Sequence, residues 1–168
     1  MMNSVFKPAW PEYFDVIAQL EWSEPYTHDE LFSGKVKENV SAYFYSIVAQ
    51  SKRVWWPYYI GMTMDQTVAA RNQALDHIER MERLRIAYPK LNFMVTLGTP
   101  FFSQGQAKRD VIYAIEGLLI YGNWHSDMVN EKKIQTFNSI PHIFIENIGW
   151  IEHVEKELAF GVFYSSGE

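Results

Sequence analysis

The chain has 168 residues, 15 of them basic and 20 acidic, with a net charge of −5 and no cysteine. That composition excludes a disulfide framework, a thiolate metal site and a cysteine nucleophile, and it argues against coating of a phosphate backbone by a broadly basic face. With 48% hydrophobic and 16% aromatic residues, one domain with a real core is expected. No apolar run is long enough for a bilayer, and Met1 to Trp10 lacks the basic start and apolar stretch of a signal peptide, so a cytoplasmic protein with no membrane partner is expected.

Residues 1–39 hold several prolines and aromatics but no long periodic run, and they read as an N-terminal extension wrapped on the domain that follows at 40–168. Within the extension, Val16 to Leu20 suits either a short helix or a strand. Val40 to Ala49 is rich in aromatic and β-branched residues and predicts a strand, and the polar turn Gln50 to Arg53 leads to a second strand over Val54 to Met62. Pro57 inside that strand marks an edge position or a bulge. Thr63 and Gln66 have the spacing of a capping box, which predicts one long helix running to about Ala87 and stopped by Pro89. Leu91 to Leu97 predicts a third strand, broken by Gly98-Thr99-Pro100. Ser103 and Gln106 repeat the capping-box spacing and predict a helix through Tyr121, ended by Gly122-Asn123. A short helix over Val129 to Phe137 and strands over His142 to Asn147 and Leu158 to Tyr164 complete an α/β (α+β) order of β-β-α-β-α-(α)-β-β.

Four side chains stand out chemically. Glu116 is the only charged residue in the apolar run from Val111 to Tyr121. A buried carboxylate without a partner costs several kcal/mol or becomes neutral, and a bound cation removes that cost; a place on the solvent edge of an amphipathic helix is the simpler reading of the run alone. Arg71 offers the donor fork that stabilises charge on a phosphate, or is a surface residue. Tyr45 and Tyr59 are strand tyrosines, suited to packing and, beside a cation, to accepting a proton. Arg53, Arg71, Lys108, Arg109, Lys132 and Lys133 would make a local basic cleft if they converged. Trp55-Trp56-Pro57-Tyr58-Tyr59 fits base stacking, an edge strand or a dimer surface equally well. Trp124 to Asp127 lacks a second ligand at metal spacing, and no Walker loop or dinucleotide fingerprint is present.

Taken in order, these residues resemble the GIY-YIG nuclease family. Tyr43-Phe44-Tyr45 is similar to the first motif, with Tyr43 where the family has glycine. Tyr59-Ile60-Gly61 matches the second motif literally. Arg71 follows on a helix, Ile115-Glu116-Gly117 resembles the helix that carries the family's metal-binding glutamate, Asn130 falls where the family often has asparagine, and Ile145 to Gly149 resembles a common ending. The family often places a histidine one helical turn after the arginine, where this chain has Leu75; His77 is the nearest histidine.

The resemblance implies a small central β-sheet flanked by helices and a metal-dependent endonuclease hydrolysing phosphodiester bonds in nucleic acid, DNA before RNA. It implies Tyr45 as general base for the attacking water, with Tyr59 assisting, Arg71 on the scissile phosphate and Glu116 as ligand of Mg²⁺ or another hard divalent cation such as Mn²⁺. Asn130 would position a phosphate or the arginine, with His77 nearby. The alternative is a non-catalytic GIY-YIG-like module that binds nucleic acid or a protein partner. A third reading is an unrelated fold with an aromatic-rich ligand pocket.

Overall fold

The direction in which alternate side chains of the first apolar segment point decides its structure. Val16, Ala18, Leu20 and Trp22 all point into one core cluster, a period of two that only a strand gives. The structure, a computed structural model, describes residues 11–131, 140 and 142–161. Its six strands are β1 (Val16–Trp22), β2 (Phe44–Ser51), β3 (Val54–Met62), β4 (Met94–Gln104), β5 (Ile143–Gly149) and β6 (Glu157–Phe160); its four α-helices are α1 (His28–Phe32), α2 (Val68–Asn72), α3 (Leu75–Ala87) and α4 (Arg109–Asn123). The strands form one sheet in the order β3-β2-β4-β1-β5-β6, antiparallel except for the parallel pair β1 and β5. The architecture is mixed α/β of the α+β kind.

Strand β1 lies between β4 and β5, so the segment before Val40 is part of the sheet and not only a wrapping extension. Apolar residues cover both sides of the sheet. Helix α4 packs Ile112, Ile115 and Leu119 against Leu20, Phe44, Ile60 and Ile145 on one face. On the other, Leu31 of α1 and Val68 of α2 meet Tyr45 and Leu97, while Met81 and Leu84 of α3 meet Ile47 and Tyr58. The sheet is curled. Trp55 of β3 touches Trp150, just after β5, with ring centroids 5.2 Å apart. In a flat sheet, strands four places apart are separated by about 19 Å.

Several expected boundaries move, each for a physical reason. The hairpin of β2 and β3 forms as predicted, and Pro57 takes both roles proposed for it: β3 is an edge strand, and the register slips between Ile47 and Val48, which pair with Tyr59 and Pro57. The single long helix after Thr63 is two helices. Thr63 is buried and gives its hydroxyl to the Gln66 carbonyl; Thr67 caps α2 instead, accepting from the Ala70 N–H. The chain then turns at Gln73 and Ala74, and Leu75 and Ile78 end up exposed.

Strand β4 runs straight through Gly98 and Pro100, where a break was expected. Strand β2 pairs only with Met94 to Gly98, so Pro100 sits beyond its neighbour on that side and its missing N–H leaves no ladder bond unmade. Gly98 is needed because a Cβ there would lie 3.1 Å from the Trp22 ring. The strand continues through Ser103 and Gln104, so the second capping box does not form: α4 opens after Lys108, with no side-chain cap. Val129 to Glu131 is not helical, and the rest of that expected helix lies outside the described residues, as do Lys132, Lys133 and the end of the last expected strand.

Candidate active site

The outer edge of β3 opens into a cavity of about 450 Å³. Because β3 is the last strand, the cavity draws side chains from both faces of the sheet: Tyr59 and Met62 from the strand, Arg71 from α2, Asp76 and Arg80 from α3, and Arg109, Tyr113, Glu116 and Ile120 from α4. The loop before α2 adds Asp65, and the segment after α4 adds Val129, Asn130 and Glu131. Of the six residues singled out in the sequence, Tyr59, Arg71, Glu116 and Asn130 line this space. Tyr45 and His77 do not; both are wholly buried one layer behind Tyr59.

The three aromatic rings form a tight group. Tyr45 and Tyr59 have ring centroids 5.9 Å apart, and His77 lies 5.5 Å from each. The Tyr45 hydroxyl is 2.8 Å from His77 Nε2. Tyr45 stands opposite Gly61 across the β2–β3 ladder, and its ring occupies the space a side chain at Gly61 would need. That is why glycine suits the position, since its backbone is not in the left-handed region.

Burial pushes the Tyr45 phenol well above its ordinary range and also raises Tyr59, where Arg80 and Arg71 pull the other way. Burial lowers His77 to about 4, and the Arg80 and Arg71 charges push in the same direction. At neutral pH all three rings are uncharged.

Arg71 is held end-on by Asp76, with Nη1 donating to Oδ1 at 3.1 Å and Nη2 to Oδ2 at 2.9 Å. Two of the five guanidinium N–H groups are used in that pair, which leaves three outside it. Partial burial works against ionisation of Asp76, but the Arg71 hydrogen bonds override it and hold the carboxyl below its usual range. Arg109 is paired with Asp65 across the mouth. Asn130 acts as a one-residue strand partner: its Oδ1 accepts from the Ile60 N–H at 3.0 Å and its Nδ2 donates to the Ile60 carbonyl at 2.8 Å. It therefore seals the β3 edge beside the cavity, and Val129 adds a backbone bond to the Tyr58 carbonyl.

Arg80 was not anticipated. Its guanidinium lies 4.1 Å from the Tyr59 ring centroid and its Nη1 is 2.9 Å from His77 Nδ1. The signal was present in the spacing, since residues three apart on a helix are neighbours. Of the other expected cations, Arg53 sits at the hairpin tip and Lys108 precedes α4, both away from the lining. Trp124 and its neighbours serve the edge strand, with His125 Nε2 bonded to the Pro57 carbonyl.

Among the described residues no three acidic, histidine or cysteine side chains are grouped as a metal cage, and no helix is long and apolar enough to cross a membrane. Searches against family models, curated proteins and solved structures find no match to this chain.

Proposed function

We propose that the cavity is the active site of a metal-dependent phosphodiester hydrolase resembling the GIY-YIG endonucleases, acting on nucleic acid and on DNA first. The observation that carries this reading is the convergence of Tyr59, Arg71, Glu116 and Asn130, from separate segments of the chain, on one open space of about 450 Å³. Their order along the chain drew attention to them, and their meeting at one sheet edge is independent of that order.

Each group has a task there. Arg71, oriented by Asp76, presents its remaining donors to a phosphate and stabilises the charge that builds on it. Glu116, half-buried on α4, offers a hard carboxylate. With no metal cage among the described residues, it would suit a Mg²⁺ or Mn²⁺ ion that keeps most of its waters and takes other ligands from substrate phosphate. Such an ion supplies charge neutralisation and a more acidic bound water. Tyr59 is the phenol that meets the phosphate. Tyr45, expected to take the proton of the attacking water, is fully covered and in this reading supports Tyr59 from behind. Asn130 fixes the strand that carries Tyr59.

A second reading, a non-catalytic module of the same kind that binds nucleic acid or a protein, has its own support. Four carboxylates, Asp65, Asp76, Glu116 and Glu131, line the cavity against three guanidinium groups, and all three cations already lie within 4.0 Å of Asp76 or Asp65. A plasmid-cleavage assay with Mg²⁺ separates the two. The hydrolase reading expects cleavage that falls at least a hundredfold in Arg71→Ala and in Glu116→Ala, the loss typical of removing one transition-state contact. Activity that survives both substitutions refutes the assigned chemistry. Binding without cleavage selects the module.

A further inference from the structure

We infer that Arg80 is a second anion-binding residue of the cavity: with Arg71 it holds one phosphate group between two guanidinium groups that share a single carboxylate, Asp76. The inference deepens the phosphodiester reading and rests on it only for the substrate that brings the phosphate.

Charge is unevenly paired around the cavity. Asp65 and Glu131 each have a cation of their own, Arg109 and Arg83. Glu116 is the carboxylate assigned to the metal ion. Among the described residues, Arg71 and Arg80 have only Asp76 as a carboxylate within 4.0 Å. Arg71 takes both oxygens of Asp76 at hydrogen-bond distance. Arg80 Nη2 stands 4.0 Å from Oδ2, too far for a hydrogen bond. Two guanidinium charges thus meet one carboxylate charge, and the excess is positive.

Arg80 is also largely cut off from water. Its side chain is 15% exposed. The guanidinium lies over the Tyr59 ring, 4.1 Å from the centroid. Its Nη1 lies over the His77 ring face, 2.9 Å from Nδ1 and 3.3 Å from Nε2. Two aromatic rings hold the group in place but offer its donors no good acceptor. A covered cation with so little hydrogen bonding costs free energy, and an anion that supplies the missing acceptors recovers it.

The spacing suits one phosphate. Arg71 Nη2 lies 2.9 Å and Arg80 Nη2 4.0 Å from the same Asp76 oxygen. The two nitrogens are therefore within about 7 Å, a gap that one phosphate spans when each guanidinium bonds a different oxygen at about 2.7–2.9 Å. Both arginines line the same space as Tyr59, and they come from different helices, Arg71 from α2 and Arg80 from α3. The packing of α2 against α3 therefore sets the width of the anion site.

Nitrogen NMR of the full chain with labelled arginine, titrated with inorganic phosphate, reads the site without any activity. The side-chain signals of Arg71 and Arg80, assigned through Arg71→Lys and Arg80→Lys, should move together with one midpoint. In calorimetry, phosphate should bind Arg80→Leu at least tenfold more weakly than wild type, as expected for a lost hydrogen bond between charged groups. Arg80→Lys should fall between the two, because it keeps the charge and loses the fork. Arg53→Gln, the same change in net charge at the hairpin tip, should stay within about twofold of wild type, since exposed charges that far off are screened. An Arg80 signal that stays still while that of Arg71 moves, no phosphate binding at all, or an affinity indifferent to Arg80→Leu overturns the inference. Cleavage undiminished in Arg80→Leu also overturns it and leaves the hydrolase reading standing. Phosphate held by both arginines in a chain that cleaves no DNA upholds it and removes the hydrolase reading instead.

Discussion

Replacing Gly61 by alanine tests whether the tyrosine pair is as closely fitted as it looks. The added Cβ would stand 2.7 Å from Tyr45 Cζ, 2.7 Å from its hydroxyl oxygen and 2.7 Å from Tyr59 Cε1. All three are closer than carbon or oxygen contacts allow, so something must move. Tyr45 has no room to do so: it is fully buried, and His77 holds its hydroxyl at 2.8 Å. Tyr59 is pinned on its other side by Arg80 at 4.1 Å. The strain therefore falls on buried rings and on the β2–β3 ladder, and overpacking of this kind costs roughly 1–3 kcal/mol. For a domain of this size a urea slope of about 2 kcal/mol per M turns a ~2 kcal/mol loss into a midpoint about 1 M lower at unchanged slope. Equilibrium unfolding followed by tyrosine and tryptophan fluorescence measures it. A midpoint within about 0.2 M of wild type would mean that the rings yield easily, and the account of a fixed tyrosine pair would be wrong.

Two further substitutions probe the packing around Trp22. His153 is 4% exposed, stacked on Trp150 and edge-on to Trp22, with neither ring nitrogen hydrogen-bonded. Burial lowers its pKa from 6.5 to about 3. Between those values the unfolded chain takes up a proton that the folded one refuses, so this contribution to stability is complete above pH 6.5 and is lost as pH falls, by about 1.4 kcal/mol per unit. Wild type should lose about 2 kcal/mol more than His153→Phe between pH 6.5 and 5 in urea melts, and parallel curves would refute the assignment. Asn147 accepts from the Trp22 indole N–H at 2.8 Å and donates to the Glu155 carbonyl at 2.8 Å. Asn147→Leu should cost roughly 1–3 kcal/mol by leaving a buried indole N–H unpaired; an unchanged midpoint would count against that role.

Much of the sheet was legible because strands announce themselves locally. Val40 to Ala49 and Val54 to Met62 carry their β-character in residue type, although the first strand begins only at Phe44 and Val40 is exposed, and Pro57 declares an edge. What escaped depends on partners far along the chain. Val16 to Leu20 is ambiguous until Met94 to Gln104 and Ile143 to Gly149 are placed beside it. Pro100 reads as a breaker unless one knows that β2 stops pairing at Gly98. Thr63 has the spacing of a cap but turns inward, and no local signal separates it from Thr67. At the site, the identity of the lining groups was partly visible in their order, but their depth was not. Tyr45 and Tyr59 look equivalent in sequence; the register of the hairpin, with Tyr45 over Gly61, decides which is sealed and which reaches the cavity. Arg80 escaped because its importance lies in what it touches.

The place of β1 inside the sheet has a consequence for synthesis. Ser23, just after it, is hydrogen-bonded to Leu97 across 74 residues, and Trp22 to Asn147 across 125. At about 5–20 residues per second a ribosome needs roughly 4–15 s to make the first partner and 6–25 s to make the second. Through that interval an apolar strand ready to pair has no native neighbour to pair with. The sheet closes only after most of the chain has been made, and the nascent protein is exposed to wrong pairing at a strand that later has a neighbour on each side.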